Sequence, residues 1–206
     1  MKFKSLATLL TLAAFAGVST LGEAKSLSYN QVSASYTSTK LDDLDDYNPT
    51  GLIVNGSFLL NDNVFLTAGT SSLSGSYTVY GQSVKMEASD AGIGIGYRHG
   101  VTDATDVWAG FAAGTGTAEA TSGRYSEEVD VDITGFLVGI RSMLNEQVEI
   151  HGSYSRSNVE VENGSSEESA FKIGLSYYFQ PNISLGASMK STDDSNTTQL
   201  GLSYHF

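Results

Sequence analysis

The last ten residues, TTQLGLSYHF (197–206), alternate between apolar and small polar side chains. Successive side chains of a β-strand point to opposite faces, so Leu200, Leu202, Tyr204 and Phe206 share one apolar face. A strand at the end of a chain frays unless another element holds it. The pattern therefore predicts that this strand pairs with another one, and we expect that partner near residues 27–39.

The first 24 residues are typical of a cleaved secretory signal peptide. Lys2 and Lys4 form a basic start, an apolar run extends from Leu6 to Val18, and small residues follow. This run is short for a membrane-spanning helix, which needs about 20 apolar residues, and no later run approaches that length. We therefore expect an exported chain whose single mature domain covers residues 25–206.

Composition excludes several classes of protein. The 206 residues include 22 Gly and two Pro, contain no Cys, and carry a net charge of −12. The absence of Cys excludes disulfides and cysteine-ligated metals, and the residues indicate no other cofactor. Phosphate contacts need Lys and Arg, so the negative charge argues against nucleic acid as a partner.

Strand-like segments alternate with two kinds of connection, which follow each other in strict order. Short connections lie near residues 61–63, 100–105, 143–146 and 180–182; longer and mostly acidic ones lie at 41–50, 75–84, 119–127, 160–167 and 192–196. Five long and four short connections imply ten strands. We expect them at 27–39, 51–60, 64–74, 85–99, 106–118, 128–142, 147–159, 168–179, 183–191 and 197–206.

The two faces of these segments differ in a way that suits a membrane. The face opposite the apolar one carries Gly, Ser and occasional charges, and aromatic residues cluster at strand ends. An apolar exterior, a polar interior and aromatic girdles are typical of outer-membrane barrels, and a sheet in lipid cannot leave an edge unpaired. The sequence therefore predicts an all-β fold: a closed antiparallel transmembrane β-barrel of ten strands, with short periplasmic turns and longer acidic extracellular loops.

Three strands follow the pattern less well. In the sixth, VDVDITGFLVGI (residues 129–140), the alternation changes phase, and we expect a β-bulge at Thr134–Gly135. The third and fifth strands give no clear assignment of faces.

The whole mature chain resembles the small outer-membrane β-barrel proteins of Gram-negative bacteria, a group that includes the OmpA transmembrane domain, OmpX and Ail. The signal peptide, the LGLSYHF terminus, and segments such as LNDNVFLTAG (60–69) and VGIRSMLNEQVEI (138–150) carry the resemblance. It implies an outer-membrane protein exported through the periplasm and surrounded by lipid and lipopolysaccharide. Because OmpA and OmpX have eight strands, the resemblance also makes eight strands the alternative to the ten counted here. It also implies that Leu202, Tyr204 and Phe206 form the C-terminal signal read by the barrel assembly machinery.

Charged residues that we expect inside the barrel form the main candidate site. Buried charges need partners, and their mixed signs suit a network of ion pairs that either lines a narrow pore or plugs the barrel. Inward Gly and Ser favour a pore, and the first interpretation is a porin-like protein with limited passive permeability to small solutes. The expected interior charges are Arg98, Asp130, Asp132, Arg141, Glu149, Lys172 and Lys190.

The long connections suggest an alternative, a surface adhesion or interaction protein. Aromatic side chains among acidic ones are suitable anchors for an extracellular partner, and carboxylates could bind the cations that bridge lipopolysaccharide. The tyrosines concerned are Tyr47, Tyr77, Tyr80 and Tyr125. The acidic residues are Asp42, Asp43, Asp45, Asp46, Glu127, Glu128, Glu167, Glu168, Asp193 and Asp194.

An enzyme is the least favoured interpretation. His151 and Ser153 match the His-x-Ser spacing of outer-membrane lipid A deacylases, and Glu160 or Glu162 could complete a triad. However, the strand pattern places His151 in the lower half of the barrel, and a two-residue motif is expected by chance in a Ser-rich chain. We therefore expect a non-enzymatic protein in which His151 is an interior histidine with satisfied hydrogen bonds.

Overall fold

The computed structural model describes residues 27–42, 47–79, 81–162 and 164–206, which form one closed antiparallel barrel of ten strands. Within these residues, no helix is long and apolar enough to cross a membrane. The expected signal peptide lies outside the described residues and stays a prediction. The strands are β1 Gln31–Leu41, β2 Thr50–Leu59, β3 Val64–Val79, β4 Gln82–Thr102, β5 Thr105–Ser122, β6 Tyr125–Met143, β7 Val148–Val161, β8 Gly164–Gln180, β9 Ile183–Thr192 and β10 Ser195–His205.

Closure of the barrel confirms the expectation drawn from the last residues. β10 pairs with β1 over its whole length, from Gln31 opposite His205 to Leu41 opposite Ser195. The amide of Phe206 also donates a hydrogen bond to the carbonyl of Asn30, at 3.1 Å. The start of β1 and the end of β10 therefore lie at the same end of the barrel, which is called here the terminal end. The opposite end is called the distal end.

The polarity of the two faces reverses along the longer strands. Near the terminal end of β6, Phe136, Val138 and Ile140 are exposed on the outer surface. Nearer the distal end of the same strand, Val131 and Ile133 point inward and are buried. The barrel thus has an apolar belt in its terminal half, whereas its distal half has a polar exterior and an apolar core.

This reversal corrects the expected bulge in β6. Thr134 and Gly135 pair in continuous register with Ala113 and Ala112 of β5, and the pairing with β7 is also uninterrupted. Apolar residues change sides because lipid contacts the outer face only in the terminal half. The hydrophobic pattern therefore shifts phase while the backbone alternation does not.

The distal half is a projection formed mainly by β3 to β8. β4 and β6 contain 21 and 19 residues, whereas β2 and β9 contain 10 each. Most of the long acidic connections are consequently paired strand: β5 ends at Ser122 and β6 begins at Tyr125, with Gly123 in the left-handed region at φ 62°. The expectation of long loops is wrong at these hairpins, because residues outside the membrane continue the sheet.

A buried apolar core fills the projection. It contains side chains from the distal parts of β3 to β7, together with Leu41 at the end of β1 and Tyr47 from the connection after it. The other members in the distal half are Tyr77, Met86, Ala88, Ala118, Val131, Ile133 and Val159.

Candidate functional site: the barrel interior and its outer distal face

Residues 27–30 close the terminal mouth of the barrel. Tyr29 is fully buried, and its ring lies between two guanidinium groups, 4.9 Å from Arg98 and 4.8 Å from Arg141. Such cation–π contacts are strongest where the cation is shielded from water. The backbone is held as well: Arg98 Nη1 donates to the carbonyl of Leu27 and Arg141 Nη1 to that of Ser28, both at 3.1 Å.

Two ion pairs neutralise the guanidinium groups around Tyr29. Arg141 forms a bidentate pair with Glu149, with N–O distances of 2.8 and 3.0 Å, and both side chains are buried. The Tyr178 hydroxyl donates to the same carboxylate at 2.8 Å. Arg98 pairs with Asp106 at 3.0 Å. Each of these four charged side chains thus has a partner of opposite sign, as a buried charge requires.

The middle of the lumen contains a second polar group. Lys172 donates to Gln199 Oε1 at 3.1 Å, and Lys190 lies 3.8 Å from Glu168. On another part of the wall, Ser71 donates to the buried Asp90 at 2.6 Å. The interior of the membrane half is therefore crossed by salt bridges and hydrogen bonds.

Inward glycines accommodate large side chains instead of leaving a channel. A Cβ on Gly96 would lie 2.2 Å from the Phe65 ring, and one on Gly139 would lie 2.5 Å from Trp108. Both rings occupy the space next to these glycines, and Phe65 contacts Tyr29 with ring centroids 4.8 Å apart. Inward Gly residues therefore do not indicate an open pore here, because aromatic rings from neighbouring strands occupy the space.

The distal end is closed by tyrosines that the sequence placed on the surface. Tyr47 and Tyr77 are buried with ring centroids 5.3 Å apart, inside the apolar core. Burial raises the pKa of both phenols above the ordinary value. Their expected role as surface anchors is wrong, because their rings complete the core of the projection. Tyr125 is exposed at 85%, and Tyr80 lies outside the described residues.

The seven expected interior charges fall into two groups. Arg98, Arg141, Glu149, Lys172 and Lys190 lie on inward positions of their strands. Asp130 and Asp132 lie on the outer surface, because the buried neighbours Val131 and Ile133 occupy the inward positions of β6. The inward assignment of these two aspartates is wrong, since it assumed that the apolar side of β6 faces lipid throughout.

Asp130 and Asp132 belong to an acidic groove of about 990 Å³ on the outer distal face, which is lined by parts of β3 to β7. Among the described residues, neither Lys nor Arg lines it. Asp132 lies directly opposite Glu160 of the neighbouring strand, and Glu119 lies opposite Glu128 beside the groove. Like charges in directly opposed positions of a sheet repel each other. The lining residues are Thr70, Ser89, Asp90, Ala91, Thr115, Gly116, Thr117, Glu127, Glu128, Val129, Asp130, Val131, Asp132, Glu160, Val161 and Glu162.

The catalytic triad considered in the sequence analysis does not assemble in the structure. His151 and Ser153 occupy inward positions of β7, whereas Glu160 is exposed on the outer face. Nine residues of strand separate His151 from Glu160, a distance of about 30 Å. Neither ring nitrogen of His151 has a hydrogen-bond partner, so the expectation of a satisfied histidine is also wrong. Among the described residues, no group of His, Asp and Glu could hold a metal ion.

Sequence reasoning missed Tyr29, Phe65, Asp106 and Trp108, all of which fill the terminal mouth. The three aromatic residues among these four lie on the inner side of the barrel, contrary to the rule that apolar residues face lipid. Asp106 gave a weak signal, since a carboxylate eight residues after Arg98 across a short turn lies close to it in a hairpin. By contrast, the expected assembly signal lies on the outer face, where Leu202, Tyr204 and Phe206 are exposed.

Comparisons with solved structures identify the same architecture in other proteins. The translocator domain of the autotransporter NalP from Neisseria meningitidis has 10% identity and a TM-score of 0.52, covering 98% of this chain and 94% of that one. The transport unit of the autotransporter AIDA-I from Escherichia coli has 13% identity and a TM-score of 0.51, covering 98% of both chains. Ail of Yersinia pestis has 17% identity and a TM-score of 0.41, covering 87% of this chain and 100% of that one. At these identities the two autotransporter matches, with TM-scores above 0.5, show the fold alone, and nothing further is concluded from the match to Ail.

No curated protein gives a significant match to the sequence. The family comparison is positive: the model of the outer membrane protein beta-barrel domain matches residues 5–179. That match covers most of the chain and agrees with the closed barrel and its apolar outer belt. The chain therefore belongs to the outer membrane protein β-barrel domain family, and its place is the outer membrane of Gram-negative bacteria.

Proposed function

We propose that this protein is a non-enzymatic surface-interaction barrel whose projecting distal half binds a cationic segment of a protein outside the cell. The observation that carries the proposal is the acidic groove around Asp130 and Asp132, in which no described Lys or Arg takes part in the lining. The opposed carboxylates of Asp132 and Glu160 repel each other in the free protein. A cationic partner would relieve that repulsion, and its positive charges would find a complementary surface.

The closed interior supports an interaction role over passive permeation. Tyr29 and its two arginines fill the terminal mouth, and Tyr47 and Tyr77 lie in the core of the distal half. A diffusing solute would have to displace both groups. Porin-like permeability, the first function suggested by the sequence, therefore requires movements at both ends of the lumen.

Two expected partners at the membrane are part of the proposal. The exposed Leu202, Tyr204 and Phe206 are accessible to the barrel assembly machinery, and the apolar belt suits lipid and lipopolysaccharide. Removing Phe206 should lower the fraction of protein that becomes heat-modifiable in the outer membrane. Loss of the aromatic ring by Phe206→Ala should have the same effect, whereas Phe206→Tyr should retain assembly.

Binding of a labelled Lys-rich peptide to the purified, refolded protein tests the proposed function. Asp130→Asn combined with Asp132→Asn should weaken binding roughly tenfold at low salt, because two charge contacts on the protein surface are lost. The matched control is Asp193→Asn combined with Asp194→Asn, which removes the same charge from the exposed turn before β10. Fluorescence anisotropy at two salt concentrations provides the affinities.

The control distinguishes the groove from general electrostatic attraction. Equal weakening by both double variants would show that only net charge matters, and it would overturn the proposed site. Failure of the wild-type protein to bind any cationic peptide at low salt would overturn the interaction role itself.

A further inference from the structure

The acidic residues of the barrel wall are confined to one sector of the sheet. β1, β2, β3, β9 and β10 are neighbours in the closed barrel and contain no Asp or Glu, whereas β4 to β8 contain all the acidic residues of the described strands. Asp42 and Asp194 lie in the connections beyond the distal ends of β1 and β10, where their backbones share a hydrogen bond of 3.0 Å. The outer surface of the acid-free sector therefore repels an anionic group less than the opposite sector does.

An apolar groove of about 800 Å³ lies on the outer surface at the edge of this sector, over β7 to β10 and β1. Ala187 of β9 lies directly between Leu175 of β8 and Leu200 of β10, and Ile150 and Tyr36 continue the same row across the strands. The surface is recessed at Ala187, because a methyl group stands between two longer side chains. The two flanking leucines are two strand spacings apart, about 10 Å between backbones, which leaves room for one extended hydrocarbon chain.

The groove becomes more polar toward the distal end of the barrel. The hydroxyl residues Ser38 and Thr198 lie opposite each other two residues above the apolar row, and Lys40 lies opposite Asn196 two residues further on. Ser191 Oγ donates to Asn196 Oδ1 at 2.9 Å, so Nδ2 of the same amide remains a donor. An exposed ammonium and an exposed amide therefore stand side by side, about 13 Å along the strands from the recess.

We propose that this groove binds one molecule of the lipid A part of lipopolysaccharide, with an acyl chain over Ala187 and a phosphate at Lys40 and Asn196. The groove is continuous with the apolar belt, so a lipid chain covers it. The donors at its distal end match an anionic headgroup, since hydrogen bonds to a phosphate from charged donors are strong, and Ser38 and Thr198 lie at the level of the sugar hydroxyls. The assignment rests on the proposed function in one respect: the distal half lies outside the cell, which places the groove in the outer leaflet.

Native mass spectrometry of the refolded protein in detergent with purified lipid A tests the recess. The wild-type protein should retain one lipid A molecule. Ala187→Phe fills the recess and should reduce the retained fraction roughly tenfold, because the acyl chain loses its buried contacts. The matched control is Ala109→Phe, which changes an outward alanine of the belt on β5, outside the groove, and should retain the lipid. Heat-modifiable mobility on gels verifies that each variant is folded.

The same assay tests the headgroup contact. Lys40→Gln should weaken retention of lipid A roughly fivefold, because one charge contact at the surface is lost. It should not change retention of lipid A from which the phosphates have been removed. Lys85→Gln is the matched control, since Lys85 is an exposed lysine of β4 outside the groove.

Two results would overturn the lipid A site. Equal losses from Ala187→Phe and Ala109→Phe would show that lipid binds anywhere on the belt. Equal retention of phosphatidylglycerol and lipid A by the wild-type protein would show that the groove does not select a phosphorylated glycolipid. The assay contains no cationic peptide, so the lipid site and the proposed binding role of the acidic groove can fail separately.

Discussion

At the scale of single residues, Arg141 shows how a strong charge is accommodated inside the membrane half of the barrel. The alternation of β6 suffices to point it inward. Its pairing with Glu149, however, depends on the register between β6 and β7 and on Tyr29, which enters from the segment before β1. The spacing of charges in the sequence reveals neither the register nor the position of that segment. The interior position of Arg141 was therefore predictable from the sequence, whereas its partners Glu149 and Tyr29 were not.

Breaking this ion pair should be more harmful than removing it. Arg141→Met leaves Glu149 buried with only the Tyr178 hydroxyl as a partner, and we expect a loss of about 3–5 kcal/mol in the free energy of unfolding. The double variant with Glu149→Leu removes both charges and should regain part of that loss. Urea unfolding of refolded protein in micelles, followed by tryptophan fluorescence, provides both values.

The fluorescence of Trp108 is a suitable probe, because it is the only Trp in the sequence and is buried beside Phe65. If the double variant were as unstable as Arg141→Met, the cost would lie in lost cation–π and backbone contacts of Arg141. The explanation that the loss of stability comes from the unpaired Glu149 carboxylate would then be wrong.

At the scale of elements, β6 explains why alternation alone misplaced two aspartates. Its sequence has apolar residues first at odd positions, up to Ile133, and then, apart from the buried Leu137, at even positions from Phe136 to Ile140. The pattern is equally consistent with a β-bulge and with a change in the surroundings of the outer face from water to lipid. A sequence shows which residues are apolar, but it does not show which face of the strand contacts water. Only the continuous register with β5 and β7 distinguishes the two.

Adjacent residues of β6 should therefore differ sharply in their effect on stability. Ile133→Ala creates a cavity in the distal core, where Ile133 is fully buried, and should cost about 2–5 kcal/mol. Asp132→Asn alters an exposed position and should change stability by less than about 0.5 kcal/mol. Unfolding in urea measures both. If Asp132→Asn strongly lowered the stability and Ile133→Ala left it unchanged, the assignment of the inner and outer faces of β6 would be wrong.

Alkaline pH should loosen the distal half. Burial raises the pKa of Tyr47 and Tyr77 above the unfolded value, and the proximity of the two phenols raises that of Tyr47 further. The folded state thus prefers neutral phenols, and this contribution to stability is complete below the unfolded pKa of about 10 and lost as pH rises above it. Tyr47→Phe should reduce this alkaline loss of stability.

Urea midpoints between pH 8 and 11 provide the comparison, and Tyr125→Phe is the matched control, because Tyr125 is exposed. A wild-type midpoint that stays constant through this range would contradict the buried position of both phenols. So would an equal effect of the two Phe variants.

The strand pattern was predictable because lipid imposes it from outside. Ten strands, their order and the closure of β10 on β1 follow from alternation, turn residues and the requirement that no edge remains in lipid. The interior is not under that constraint. Phe65 and Trp108 point inward at positions where Gly96 and Gly139 leave room, and this match between strands exists only after the register is known.

At the scale of the whole molecule, two differently built closures lie in series along one barrel. The terminal closure is polar and ionic, with Tyr29 held between Arg98 and Arg141. The distal closure is apolar, with Tyr47 and Tyr77 among aliphatic side chains of the projection. Because either closure alone would block a solute, opening one end should have little effect on permeation.

This arrangement predicts a non-additive effect on conductance. In planar bilayers the wild-type barrel should be silent, and neither Tyr29→Ser nor Tyr47→Ser should give more than rare openings. Combining the two should produce reproducible current steps, since a water path then needs no further displacement at either end. Insertion is verified in each case by resistance to protease. Steady steps from the wild-type protein would show that the closures move readily and would favour a porin-like role over a binding role. Steps from Tyr29→Ser alone would show that the distal core does not seal the lumen.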